Sequence, residues 1–414
     1  MTRQEIKKAV RNRLFQQLTP DAFQASNRGN LEREVDAGLR RMKVDRHERE
    51  TLTQELLADL LGYGPLQTLL DDPTVTEVLV NGPRTVFVEK GGVLAETPHR
   101  FDDEEHLRTT IQKMARQADR RIDEAKPYVD LTLPDGTRVN AVLPPVAIGG
   151  SLVTLRKVRN EMKGLEAMVQ RGTLDVSMSR FLWACIQAHV NVLFSGATGA
   201  GKTTLLEVLS AYIDERERIV LIEDTPELRL RQRHVVRMQT RSGNVEGKGV
   251  VTLRELFRNA LRMSPTRIIL GEIRGPEAFE YLQSLTSGHR GSLAVVHAST
   301  PREAVLRLQN LVSLAGIDVP GEVVRDQIAH GLDVVVQLTR MRDGVRRVTH
   351  VSEVAGTDDQ GAVVVRDLFR YDERGRDAQG RLAGRFVPCG VVPRFFAGIE
   401  AMNLDIDRSV FQPG

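Results

Sequence analysis

The chain has 414 residues, 41% of them apolar and 27% charged, an ordinary balance for a globular protein long enough for two or three separate cores. With 58 basic against 55 acidic residues the formal charge is only +3, which speaks against a dedicated nucleic-acid binder. Two cysteines, Cys185 and Cys389, can build neither a disulfide framework nor a four-thiolate zinc site, so both are expected to be inert packing positions in a reducing cytoplasm. Charge enters at the third residue, leaving no room for the apolar stretch of a signal peptide, and no window approaches 18 consecutive apolar residues. Neither a secretory signal nor a transmembrane helix is expected.

Residues 1–62 read as a helical module. Leu31, Val35, Leu39 and Met42 recur at helical spacing, as do Leu52, Leu56, Leu57, Leu60 and Leu61, and Gly62 with Gly64-Pro65 ends the pattern. The first 25 residues are more weakly patterned and are expected to be mobile. From 63 to 160 the period shortens. Thr76–Val80 runs to Asn81-Gly82-Pro83, and Thr85–Glu89 runs to Lys90-Gly91-Gly92; such turn pairs between alternating segments signal hairpins. A helix follows over Glu104–Gln117, and further strands flank Pro134-Asp135-Gly136. This predicts an α+β domain with an antiparallel sheet. A connector at 161–165 leads to residues 166–414, where strand-like runs at Val190–Phe194, Arg218–Ile222, Arg267–Leu270 and Ser292–Val296 alternate with helical patterns. That alternation predicts an α/β fold with a mostly parallel, doubly wound sheet. Added β-strands are expected over 346–371.

The first of these runs ends in Gly196, Ala197, Thr198, Gly199, Ala200, Gly201, Lys202 and Thr203, followed by the helix-like Thr204–Ser210. Strand, Gly-rich turn and helix are the context a P-loop requires. Backbone N–H groups of such a loop converge on phosphate oxygens at the positive end of a helix. Lys202 would reach the β- and γ-phosphates, and the Thr203 hydroxyl would ligate Mg²⁺. The second strand ends in Glu223, Asp224 and, three residues on, Glu227. Acids at the carboxyl edge of a parallel strand sit where such sheets hold ligands, and phosphoryl transfer to water needs a group to orient the nucleophile; either Glu223 or Glu227 could serve. The third strand ends in Gly271-Glu272, a Walker B pattern with Gly in place of the usual Asp, leaving Glu272 as the acid near Mg²⁺. His289 precedes the fourth strand and His297 ends it. With no Cys or third His close by in sequence, the two do not suggest a zinc site.

In this order the motifs resemble those of the secretion-superfamily ATPases: Walker A, Asp box, atypical Walker B and His box. Leu61–Leu66, Val80–Gly82, Arg121–Glu124, Leu133–Pro145, Arg241–Gly247, Arg258–Met263, Gly271–Glu277 and Arg346–Glu353 most resemble the CpaF/TadA-type ATPases of Tad (Flp) pilus systems. The resemblance implies a RecA-like P-loop ATPase domain after an α+β, PAS-like domain and the N-terminal helices, with ATP and Mg²⁺ as ligands. It implies Glu227 as the base that activates water, Glu272 as support for Mg²⁺ and the attacking water, and His289 and His297 as links from the γ-phosphate to a neighbouring subunit. Arg138 and Arg156, with Arg121 as a weaker candidate, would close over the phosphates. Arg241, and less surely Arg237, would serve a phosphoryl site at a subunit boundary. A homohexamer is implied, held at the cytoplasmic face of the inner membrane through pilus platform proteins, with no nucleic acid and no membrane contact of its own. Ser264-Pro265-Thr266 and Arg290 depart from the family pattern at positions given no chemical role. The lack of a tetracysteine module favours the Tad branch over type II extension ATPases; a type IV or type II secretion ATPase is the alternative. A nucleic-acid motor would need a basic, aromatic strand-binding stretch, and aromatic residues total 5%. A non-hydrolysing ATP switch would not need the acids and arginines present here.

Overall fold

The computed structural model describes residues 2–18, 27–157, 164–241, 243, 248–376 and 382–413 and divides into two compact units, Met1–Asn160 and Glu161–Gly414. The expected hinge at 161–165 falls largely outside the described residues. Of it, Gly164 and Leu165 are described, and Leu165 opens the helix Leu165–Gln170. Among the described residues no helix is long and apolar enough to cross a membrane.

The first unit opens with three helices, Arg3–Gln17, Arg28–Arg41 and Arg46–Leu61. The first lies where the sequence pattern is weak and mobility was expected. A capping box between Thr2 and Glu5 starts it, and Val10 and Leu14 anchor it in a core with Leu31, Val35, Leu39, Leu52 and Leu56. Two buried apolar residues among those described are too few to make a visible helical period, but enough to seat the helix on its neighbours. Six strands follow: β1 Val75–Asn81, β2 Val86–Lys90, β3 Val93–Glu96, β4 Tyr128–Thr132, β5 Arg138–Val142 and β6 Leu152–Arg156. They form one antiparallel sheet in the order β3-β2-β1-β6-β5-β4. The helix Glu104–Gln117, capped by Asp103, packs Leu107, Ile111, Met114 and Ala115 against Val78, Val80, Val139, Ala141, Val153 and Leu155 of the sheet.

The second unit is built on nine strands: β7 Val192–Gly196, β8 Ile219–Glu223, β9 Val235–Gln239, β10 Arg267–Leu270, β11 Leu293–Val296, β12 Val334–Arg340, β13 Arg346–Thr357, β14 Val363–Arg376 and β15 Leu382–Pro388. Their order is β15-β14-β13-β12-β7-β11-β10-β8-β9. From β12 to β9 every pairing is parallel, and from β12 outward to β15 every pairing is antiparallel. Every residue of β7, β8, β10 and β11 is buried, because helices cover both faces and form a separate apolar core on each. Strand β9 was not read from the sequence. It is a half-exposed edge strand without the continuous apolar run of its neighbours. Register then decides what meets at the carboxyl edge. Val296 lies beside Ser195, Leu270 beside Ala294, and Leu270 beside Ile222, so Gly196, Glu223, Gly271 and His297 all leave the sheet at the same end.

Candidate nucleotide-binding site

The P-loop spans the end of β7 and the start of the helix Lys202–Ser210. Gly201 caps that helix with φ +99°, a left-handed value that a side chain would strain. At Gly196 a Cβ would come within 2.4 Å of the Leu338 carbonyl oxygen, so the strand can end this close to β12 only as glycine. Lys202 is buried and donates to the Gly196 carbonyl at 2.8 Å and the Ala197 carbonyl at 2.9 Å. Its ammonium is therefore folded onto the loop's own backbone. Burial lowers its pKa to about 8, against the opposing pull of Glu272 and Glu227.

One wall of the loop is acidic and imidazole-bearing. Glu272 Oε1 meets His297 Nε2 at 3.0 Å, and Glu272 Oε2 accepts from Arg274 at 2.9 Å. Arg274 reaches on to Asp224 at 3.0 Å, and His297 Nδ1 lies 3.5 Å from the Lys202 ammonium. Burial first, and then the Lys202 charge, lowers the His297 pKa, which favours neutral imidazole. A second carboxylate, Glu277, accepts from the backbone N–H groups of Arg274 at 2.6 Å and Gly275 at 2.8 Å, which shapes the turn that carries Glu272 and Arg274.

The hydrogen bonds set Glu223 and Glu227 apart. Glu223 is buried, and its Oε1 accepts from the backbone N–H groups of Glu227 at 2.8 Å and Leu228 at 2.9 Å; burial raises its pKa. It is an internal clamp on the loop 224–228. Arg237 braces the same loop, donating to the Leu228 carbonyl at 2.7 Å. Glu227 lies close enough for its charge to act on both Lys202 and Arg274.

Among the other candidates of the second unit, His289 and Arg241 are not gathered here. Because β11 runs parallel to β7, His289 precedes it at the opposite edge of the sheet, beside Ser287 at 3.4 Å. The strand from Ser292 to His297 alone spans about 16 Å, so the two histidines do not share a chamber within one chain. Neighbouring Arg290 pairs with Asp333 at 2.9 Å at that far edge. Arg241 follows edge strand β9, exposed, with its Nε on the Gly249 carbonyl at 2.6 Å. Four strand spacings separate β9 from β7, about 19 Å. Residues 242 and 244–247 of its segment lie outside the described residues. Arg138 and Arg156 belong to the first unit, where they are direct cross-strand partners on β5 and β6, and Arg156 meets Glu77 at 3.1 Å. Arg121 is exposed and hydrogen-bonded to Asp123.

The donor set suits Mg²⁺ better than a softer ion: a hydroxyl on Thr203, the first residue after Lys202, and oxygen-only carboxylates on the facing wall. Both Glu272 oxygens already have cationic or imidazole partners, which fits a carboxylate acting on a metal through its water shell.

Residues 59–383 match the sequence model of the family described as Type II/IV secretion system protein. The chain belongs to that secretion ATPase family. Among family relatives, a Mycobacterium tuberculosis protein with a provisional conjugal-transfer name is 39% identical over 72% of this chain and 86% of its own length. The type IV secretion system protein VirB11 of Brucella suis is 34% identical over 70% and 88%. The crystal structure of the Brucella suis VirB11 ATPase with sulphate aligns at 32% identity over 69% of this chain and 91% of that one, with a TM-score of 0.37. Members of this secretion ATPase family are nucleotide-using ATPases. Three residues of the site, Arg274, Glu277 and Arg346, were given no role from sequence. Glu277 is the first residue of the helix Glu277–Thr286, but its carboxylate reaches back to the turn before that helix, a bond with no cap signature in the sequence. Arg346 carried no local signal: its Nε donates to the Gly199 carbonyl at 2.8 Å from 147 positions away.

Proposed function

We propose that the chain is the ATPase motor of a Tad (Flp) pilus system. It would act as a homohexamer at the cytoplasmic face of the inner membrane, where platform proteins convert its ATP-driven motion into pilus extension, retraction or both. The observation that supports an ATPase is the meeting of Lys202, His297 and Glu272 at one end of the sheet, with His297 3.5 Å from the Lys202 ammonium and 3.0 Å from Glu272; the Tad role rests on the motif resemblance.

On binding ATP, Lys202 leaves the Gly196 and Ala197 carbonyls for the β- and γ-phosphates, and the loop N–H groups hold the phosphate oxygens. Mg²⁺, held by Thr203 and through its waters by Glu272, would neutralise charge across the β- and γ-oxygens. Glu227 takes a proton from water as its oxygen attacks the γ-phosphorus. The bond to the β–γ bridging oxygen breaks, and ADP and phosphate result. His297, between Lys202 and Glu272, senses whether the γ-phosphate is present. Arg138 and Arg156, with Arg121 as a weaker third, would close over the phosphates. Arg241 lies too far out to serve its own P-loop and would serve a neighbour's, so hydrolysis becomes coupled to ring geometry. His289, at the far edge of the sheet, takes no part in this chamber.

Steady-state ATPase rate against protein concentration, with molar mass by light scattering on the same samples, tests this. The specific rate should rise as a particle of about six subunits forms, and Glu227→Gln should bind ATP without turnover. A monomer hydrolysing at constant specific rate would remove the ring motor. The identity with VirB11 favours a second reading, a type IV secretion ATPase. In cells lacking the chain, loss of surface pili supports the first, and loss of macromolecular transfer with pili intact supports the second.

A further inference from the structure

The acidic wall flanks the P-loop on the β11 side. On its other side stands the β12–β13 hairpin, and this carries a feature with no role so far. Strand β12 runs parallel to β7 and is level with the loop at Leu338, which pairs with Gly196. The two residues that follow carry the hairpin past the first glycine of the loop. Arg340 and Arg346 then face each other as direct cross-strand partners. Neighbouring Arg347, on the opposite face of β13, is committed to the hairpin itself. It makes two bonds to Asp343 at 3.1 and 3.2 Å and lies over the Tyr371 ring at 5.1 Å. Arg346 turns the other way. Its Nε donates to the Gly199 carbonyl at 2.8 Å, and its Cδ would lie 3.1 Å from a Cβ at Gly201. Arg346 thus packs closely against Gly201, whose own φ already favours glycine.

We propose that Arg346 is a nucleotide-binding residue that contacts the α- and β-phosphates of the bound nucleoside di- or triphosphate from the side of the loop opposite Glu272 and His297. This deepens the nucleotide-binding role of the P-loop and rests on it. Three observations converge. Two cations, Lys202 and Arg346, are tied to three carbonyls of the same loop, those of Gly196, Ala197 and Gly199, so both lie within one side chain's reach of whatever the loop cradles. Arg340 and Arg346 are direct cross-strand partners just beyond the Leu338–Gly196 pairing, so two guanidinium-bearing residues stand on this flank of the loop. His297 and Glu272 stand beside the Lys202 ammonium, which on the proposed reading is the γ-phosphate side, and an arginine on the opposite flank would then meet the phosphates nearer the nucleoside. A guanidinium can keep one N–H on the Gly199 carbonyl while turning others to phosphate, so it would brace the loop and bind the ligand at once.

The test is equilibrium binding of fluorescent ADP and ATP analogues, with steady-state turnover, for the full-length protein and its Arg346→Gln, Arg346→Lys and Arg342→Gln variants. Arg342 is an exposed arginine in the turn of the same hairpin and controls for local charge. Arg346→Gln should weaken ADP and ATP equally, by about 10-fold or more for a lost charge-assisted bond. It should raise KM while leaving kcat within about twofold, since the contact is the same in ground and transition states. Arg346→Lys should recover most of the affinity, and Arg342→Gln should lose none. Unchanged affinity in Arg346→Gln overturns the assignment, and so does a loss confined to ATP, which would place the contact on the γ-phosphate. Failure of Arg346→Lys to recover affinity in a variant that melts like the parent would reduce Arg346 to a brace and also overturn it. If the unaltered protein binds neither nucleotide, the P-loop assignment falls first and this one with it.

Discussion

Gly271 stands where a Walker B strand usually ends in Asp, and the structure supplies a steric reason. A Cβ at 271 would lie 2.9 Å from Cγ of Glu223 and 3.6 Å from its Cβ. Reaching an ordinary contact near 3.5 Å requires Glu223 to retreat by about 0.6 Å. Glu223 is buried on a central strand and cannot swing into solvent, so its carboxylate moves away from the N–H groups of Glu227 and Leu228, now at 2.8 and 2.9 Å. Each hydrogen bond to a charged acceptor contributes about 1.5–3 kcal/mol, and overpacking a core costs about 1–3 kcal/mol. The loop that holds Glu227 therefore loses its clamp. Misplacing a catalytic group by about 1 Å can cost on the order of 100-fold, so Gly271→Ala should lower kcat by about 10- to 100-fold. Nucleotide affinity should stay within about threefold, because the P-loop is untouched. The assay is turnover and nucleotide binding for Gly271→Ala, Glu223→Ala and the double variant. In the double variant the clash partner is gone, so Gly271→Ala should add almost nothing to Glu223→Ala. A wild-type rate in Gly271→Ala, or full additivity of the two losses, would refute the reasoning.

Other consequences can be measured alongside. With a pKa near 8 in the free protein, Lys202 is largely neutral at pH 9 and must regain its proton to bind phosphate. Calorimetry in buffers of different ionisation enthalpy should show ATP binding taking up close to one proton at pH 9; Lys202→Arg should abolish that uptake. In the first unit, burial works against the charge of His106, but its bonds to Asp102 and Asp59 prevail and raise its pKa to about 9 from 6.5. A raised pKa stabilises the fold fully below pH 6.5 and loses that stabilisation as pH passes through 9, by up to about 3 kcal/mol. Urea unfolding of the first unit followed by circular dichroism should show this loss between pH 6.5 and 10. The single tryptophan, Trp183, lies in the second unit, and its fluorescence should not follow. Arg138→Ala changes one strand residue whose cross-strand neighbour Arg156 keeps its Glu77 partner, so the first unit should lose less than about 1 kcal/mol while ATP turnover falls. Lost stability with unchanged turnover would make Arg138 structural.

Much of this protein was legible in the chain because its chemistry is local. Strand, glycine turn, lysine and helix fall within about twenty consecutive residues, and backbone conformation alone brings their N–H groups together. The helix Glu104–Gln117 and the strands ending at Glu223 and Gly271 were readable for the same reason. What the chain order left open was settled by pairing between distant strands. The parallel register of β11 beside β7 sends His297 to the P-loop and leaves His289 at the other edge. Burial of Glu223 beneath its own loop separates it from Glu227, although both are acids within one short motif. Gly271 is intelligible only once Glu223 is seen occupying the space of the side chain it lacks. Arg346 reaches the P-loop from 147 positions away. Sequence determines what a few adjacent residues can do, through backbone geometry and side-chain type. Which of several equivalent acids, histidines and arginines does it depends on sheet order and close packing, which exist only in the folded chain.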